Sequence, residues 1–152
     1  MVIPTQTEHE RVAELLGRPP SGKFEIVVRD NSGDPIVIRN YPVLENGKPM
    51  PTLYWLVSEE LRSRIGTLES QGGVKKAEAE VDSEELIQAH LRYAKERDSV
   101  LPDSYQGHRP SAGVGGTRQG VKCLHAHYAW FLAGGDDPVG RWVHNQLKEE
   151  NE

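Results

Sequence analysis

Apolar positions along the chain change their period several times, and each change marks an element. Val12, Leu15 and Leu16 follow a Thr7-x-x-Glu10 capping pair and stop at Gly17, which predicts a short first helix. "KFEIVV" at 23–28 and "PIVIRNY" at 35–41 are rich in β-branched and aromatic residues and flank the turn formers of "RDNSGD", so they predict a β-hairpin. A second turn, "ENGKP" at 45–49, leads into "PTLYWLV" at 51–57, read as a third strand antiparallel to its neighbour.

The second half returns to helical spacing. Ser58 caps a helix carrying Leu61, Ile65 and Leu68 that Gly72 and Gly73 close. A longer helix starts at Asp82 or Ser83, places Leu86, Ile87, His90, Leu91 and Ala94 on one face, and ends before Pro102. Residues 100–116 form a Pro/Gly-rich loop, and 117–133, with no Pro, one Gly and paired glycines at its end, predicts a further helix. Pro138 opens a last helix through "VGRWVHNQL". The expectation is a single α+β domain over 1–152, with a small antiparallel sheet of about three strands packed against four or five helices and with 1–6 and 148–152 frayed.

Composition narrows the function classes. A chain of 152 residues can bury a core without covalent staples, and one cysteine forms no internal disulfide, in keeping with a reducing compartment. No stretch approaches the roughly 18 apolar residues of a membrane span, and "MVIPTQTEHE" lacks the basic and apolar parts of a signal peptide, so a cytoplasmic protein with no membrane partner is expected. The net charge of -5 argues against nucleic acid as a partner. Charge is uneven, however. No acidic residue lies between Asp103 and Asp136, whereas Arg109, Arg118 and Lys122 do, a local excess suited to a small anion.

That basic segment contains "GVGGTRQGVKCLHAHYAWFLAGG" at 113–135. On a helical wheel Arg118, Lys122, His125 and Ala129 fall within about 60°, Cys123, His127 and Trp130 share another sector, and His125 and His127 lie about 160° apart. A glycine turn before a helix start leaves backbone N–H groups at the positive end of the dipole. Gly115, Gly116, Thr117, Arg118 and Lys122 are therefore the expected ligand-binding residues for a small, phosphate-bearing anion, without a P-loop or a dinucleotide fingerprint. His125 is the candidate for acid–base work and Cys123, beside Lys122, for nucleophilic work. The competing account makes the glycines turn punctuation, the cations a solvated face and Cys123 a small core residue.

A strand here would instead align Cys123, His125 and His127 as in a zinc site, but the Ala, Leu and Gln content favours the helix, and neither metal nor cofactor is assigned. His90 reads as a hydrogen-bonded core residue, and His108 beside Arg109 as part of a loop able to close over the basic patch. Asp136 and Asp137 read as caps of the last helix, and Tyr54 and Trp55 as sheet packing.

"NGKPMPTLYWLV" at 46–57, "LESQG" at 68–72 and "VKCLHAHYAWFLAGGDDPVG" at 121–140 together resemble the bacterial domain of unknown function 501 family over most of residues 24–145. The resemblance implies a cytoplasmic bacterial protein and carries no activity with it. Relatives are encoded near cell-division and polyphosphate-handling genes, and some have cysteines in the first hairpin turn, where this chain reads "RDNSGDP". The leading expectation is thus a binder of a small anionic ligand. The alternatives are a non-catalytic adaptor docking a protein partner through an exposed patch of Tyr105, Trp130 and Trp142, and a metal-dependent hydrolase. The hydrolase needs Cys123, His125 or His127 to converge with His90, His108 or Asp136. Oligomeric state has no signature in the sequence.

Overall fold

Period-two runs and turn chemistry give the expected hairpin. In a computed structural model describing residues 1–150, Phe24–Arg29 (β1) pairs antiparallel with Pro35–Asn40 (β2), with Ile26 opposite Ile38 and an irregularity between Ile26 and Val28. Asp30 organises the reversal, its Oδ1 accepting from the Ser32 amide, the Ser32 hydroxyl and the Asp34 amide. Tyr54–Leu56 (β3) adds to β2 antiparallel, giving the order β1-β2-β3 and leaving β3 at an edge. That edge is managed from within, because the buried Tyr93 hydroxyl accepts from the amides of Leu53 at 2.6 Å and Tyr54 at 3.3 Å.

Around this three-stranded sheet stand Gln6–Leu16 (α1), Glu59–Ser70 (α2), Gly73–Glu80 (α3), Ser83–Asp98 (α4), Leu124–Leu132 (α5) and Pro138–Glu150 (α6). Alternation along the strands divides the apolar side chains between two faces. Phe24, Ile38 and Val57 pack with Val12 of α1. Val37, Tyr54 and Leu56 join the larger core with Ile65, Tyr93, Leu124, Trp130 and Val143 from the other helices. The α+β architecture with a small antiparallel sheet is therefore as expected, and the caps at Ser58 and Asp82 form as their spacing implies.

Several details differ. The first helix is capped by Thr5 with Glu8, two residues before the Thr7 and Glu10 pair, and the Val2 amide donates to Glu25. The charged run "VKKAEAE" forms α3, a helix beyond the four or five expected. It starts at Gly73, where a Cβ would lie 2.6 Å from the Leu68 carbonyl oxygen. Residues 148–150 continue α6, while 151 and 152, also expected to fray, lie outside the described residues.

The largest departure is in the basic segment. The helix expected over 117–133 begins only at Leu124. Val114–Gly116 form a single 3-10 turn, Thr117 is extended, and Gly115, Gly116 and Gly120 all have positive φ, so no α-helix can run through them.

Candidate functional site

The loop before α5 is held by side chains from three other helices, and this decides what it can bind. His90 of α4 is 2% exposed. Its Nδ1 accepts from the Val114 amide at 3.0 Å and its Nε2 lies 2.8 Å from the Gly120 carbonyl oxygen. An amide can only donate and a carbonyl can only accept, so the ring is neutral, with its proton on Nε2. Burial lowers the His90 pKa, and the nearby His127 adds to this, against the opposing pull of the Gly120 carbonyl and Asp137. Glu78 of α3 accepts from the Val121 amide, and Glu69 of α2 accepts from the Leu124 amide, each at 2.8 Å. Within the turn, the amides of Gly113, Gly116 and Thr117 donate to the carbonyls of Thr117, Gly113 and Val114.

These contacts occupy part of the expected anion cradle. The amides of Gly113, Val114, Gly116 and Thr117 serve the protein's own acceptors, and the carboxylate at the start of α5 is Glu69 itself. Gly116 and Thr117 are thereby structural, and the positive φ of Gly116 accounts for its identity. Arg118 and Lys122, expected on one stripe, diverge because the segment is not helical. Arg118 is exposed and lines a groove against α4 with His90, Leu91, Ala112 and Gly113.

Lys122, Cys123, His125 and Gly115, by contrast, line one cleft of about 580 Å³ between the start of α5 and the sheet edge. Its other walls are Leu16, Thr52, Tyr54, Trp55, Leu56, Ala126 and Arg62 of α2. Gly115 belongs there for a conformational reason, its φ of 67° being a backbone region that residues other than glycine rarely adopt. No carboxylate lines the cleft, and its cationic residues are Lys122 and Arg62. The Arg62 guanidinium is anchored by donating to the Leu15 carbonyl at 2.9 Å.

The chemistry expected of His125 and Cys123 is constrained by their partners. His125 Nδ1 lies 3.2 Å from a Glu69 carboxylate oxygen and Nε2 lies 3.2 Å from the Arg62 carbonyl oxygen. Both nitrogens face acceptors on α2, so the ring braces α5 against α2 while lining the cleft with a side chain 31% exposed. Cys123 occupies the N-cap position of α5 without a side-chain capping bond. Burial pushes its thiol pKa up, and Glu69 adds to this, against the pull of the Ala126 and His125 amides and Lys122. A thiol so placed is a poor nucleophile at neutral pH.

His127 and Asp137 form a separate buried pair, with Nδ1 2.6 Å from Oδ2 and both side chains at most 1% exposed. The other Asp137 oxygen accepts from the Val139 amide, capping α6 as expected of this position, while His127 Nε2 has no hydrogen-bond partner. His127 packs edge-on against His90, ring centroids 5.7 Å apart. Both His90 nitrogens are already engaged, and among the described residues no three His, Cys, Asp or Glu side chains converge to hold a metal ion. His108 is exposed in its loop, and Asp136 faces Arg92 and Arg141. The adaptor patch is not assembled either: Trp130 is 3% exposed in the core, and Tyr105 and Trp142 are half-buried.

Sequence reasoning missed Arg62, Glu69 and Glu78. A signal for Glu69 existed: "LESQG" and "VKCLHAH" are separate stretches that carry the same family resemblance, and Glu69 is where they touch. Arg62 on an amphipathic helix has no such mark.

The molecule is an α+β domain whose distinguishing feature is an amide-tied loop beside a cationic cleft. The chain belongs to the family described as protein of unknown function (DUF501), whose model matches residues 26–145. Lys122, Cys123, His125, Arg62 and Trp55 all lie within that span, whereas Leu16 lies before it. No curated protein and no solved structure matches the chain. Among the described residues no helix is long and apolar enough to cross a membrane.

Proposed function

We propose that this domain binds a small phosphate-bearing molecule in the cleft between β3 and the start of α5, with Lys122 and Arg62 as the anion-holding groups. The observation that carries the reading is the lining itself: two cationic side chains and no carboxylate, on a protein with net charge -5. Lys122 and Arg62 supply the cleft's positive charge, and the Glu69 carboxylate, 3.2 Å from His125, is not among its lining groups. Arg118 is not part of this site, and no reaction is assigned to it. His125 and Cys123 contribute wall and support.

A thermal-shift screen of phosphate esters tests the reading. The melting temperature rises with ligand concentration in the wild type and in Arg118→Met, and the rise shrinks in Lys122→Met. No shift with any phosphate ester, or a shift lost in Arg118→Met and kept in Lys122→Met, contradicts it.

A further inference from the structure

We infer that the molecule held in this cleft is a nucleoside monophosphate, an assignment that rests on the phosphate reading above. A volume near 580 Å³ is many times that of a bare phosphate, and beside Lys122 and Arg62 the lining includes the partly buried apolar side chains of Leu16 and Trp55, with the mostly buried Tyr54, Leu56 and Ala126. An inorganic ion would leave that surface wet. A ligand that gains from the whole cleft needs a body to cover it.

Trp55 specifies the kind of body. It stands half-buried on the edge strand, packed with Leu16 against the cluster around Val12 and Ile38 and lining the cleft as well, and an indole held in this way can stack on a nucleobase. Thr52 supplies a hydroxyl able to exchange hydrogen bonds with a sugar. Charge sets the number of phosphates. A phosphate monoester carries roughly -1.5 to -2 at pH 7, which Lys122 and Arg62 balance together. A triphosphate carries about twice that, more than these two cations balance.

Calorimetric titration with AMP, GMP, ribose 5-phosphate, adenosine and inorganic phosphate, read beside tryptophan fluorescence, tests the assignment. AMP or GMP binds about tenfold or more tightly than ribose 5-phosphate, the gain expected for one stacked base. Binding quenches emission in the wild type and in Trp142→Phe, and the quench is lost in Trp55→Phe. Lys122→Met weakens AMP by about tenfold, as loss of a charge-assisted contact should, and leaves adenosine unchanged. Trp55→Leu, checked for folding by circular dichroism, brings AMP down to the level of ribose 5-phosphate. If the Leu variant does not fold, the Phe quench and the ligand series still decide the question. Equal affinity for AMP and ribose 5-phosphate overturns the nucleotide assignment and leaves the phosphate reading standing. Absence of binding by every phosphate compound overturns both.

Discussion

Single side chains fix the basic loop, and His90 does most to fix it. Its two hydrogen bonds join Val114 to Gly120 and require the neutral ring, so protonation sets an N–H of the ring against an amide N–H. Burial holds the folded pKa below the ordinary value of 6.5. The unfolded state therefore takes up the proton first, and this share of stability is complete above pH 6.5 and lost as the pH falls below it. Urea unfolding between pH 7.5 and 5 should show a steeper loss in the wild type than in His90→Gln; equal slopes contradict the assignment. Cys123 gives a second expectation at this scale. With its thiol pKa raised by burial from 9.0, alkylation at pH 7 should be slower than for a small free thiol, and the rate should still be climbing at pH 9. Rapid labelling that levels off near neutral pH would contradict this.

Elements meet where small residues allow it, and two glycines with opposite surroundings show the rule. Gly140 of α6 packs so closely on α5 that a Cβ would lie 2.4 Å from the Phe131 Cβ and 2.8 Å from the His127 carbonyl oxygen, whereas Gly66 inside α2 has nothing within 4 Å. Gly140→Ala should destabilise by about 1–3 kcal/mol through overpacking. Gly66→Ala should stabilise by up to about 1 kcal/mol through helix propensity. Denaturant midpoints at constant slope measure both, and a neutral Gly140→Ala would contradict the α5–α6 packing. Asp137 links the same two helices. Replacing it with Ala removes the α6 cap and leaves His127 buried with neither nitrogen paired, which should cost about 2–4 kcal/mol by the same measurement.

At this scale the sequence was legible wherever period and punctuation agreed: the hairpin, the caps at Ser58 and Asp82, and Pro138 at the start of α6. It misled where side chains distant in sequence override local composition. Nothing near Thr117 says that His90, Glu78 and Glu69 will hold residues 114–124 out of a helix. Placing Arg118 and Lys122 on one stripe failed for that reason. The cluster of Gly115, Lys122, Cys123 and His125 came together because those residues sit where the loop enters α5.

Across the whole molecule, the acidic surface is interrupted by a cleft with two cations and an apolar wall, built from α1, β3, α2 and the loop into α5. The amides of Tyr54, Trp55, Leu56, Arg62, Gly115, Lys122 and Ala126 are dispersed in sequence and gathered in space, so they report together on any ligand there. The most direct measurement is an amide chemical-shift titration of isotope-labelled protein with ribose 5-phosphate. The account predicts saturable shifts concentrated on those residues, abolished in Lys122→Met. Shifts centred instead on Gly113, Arg118 and Gln119, or spread without saturation, would contradict it.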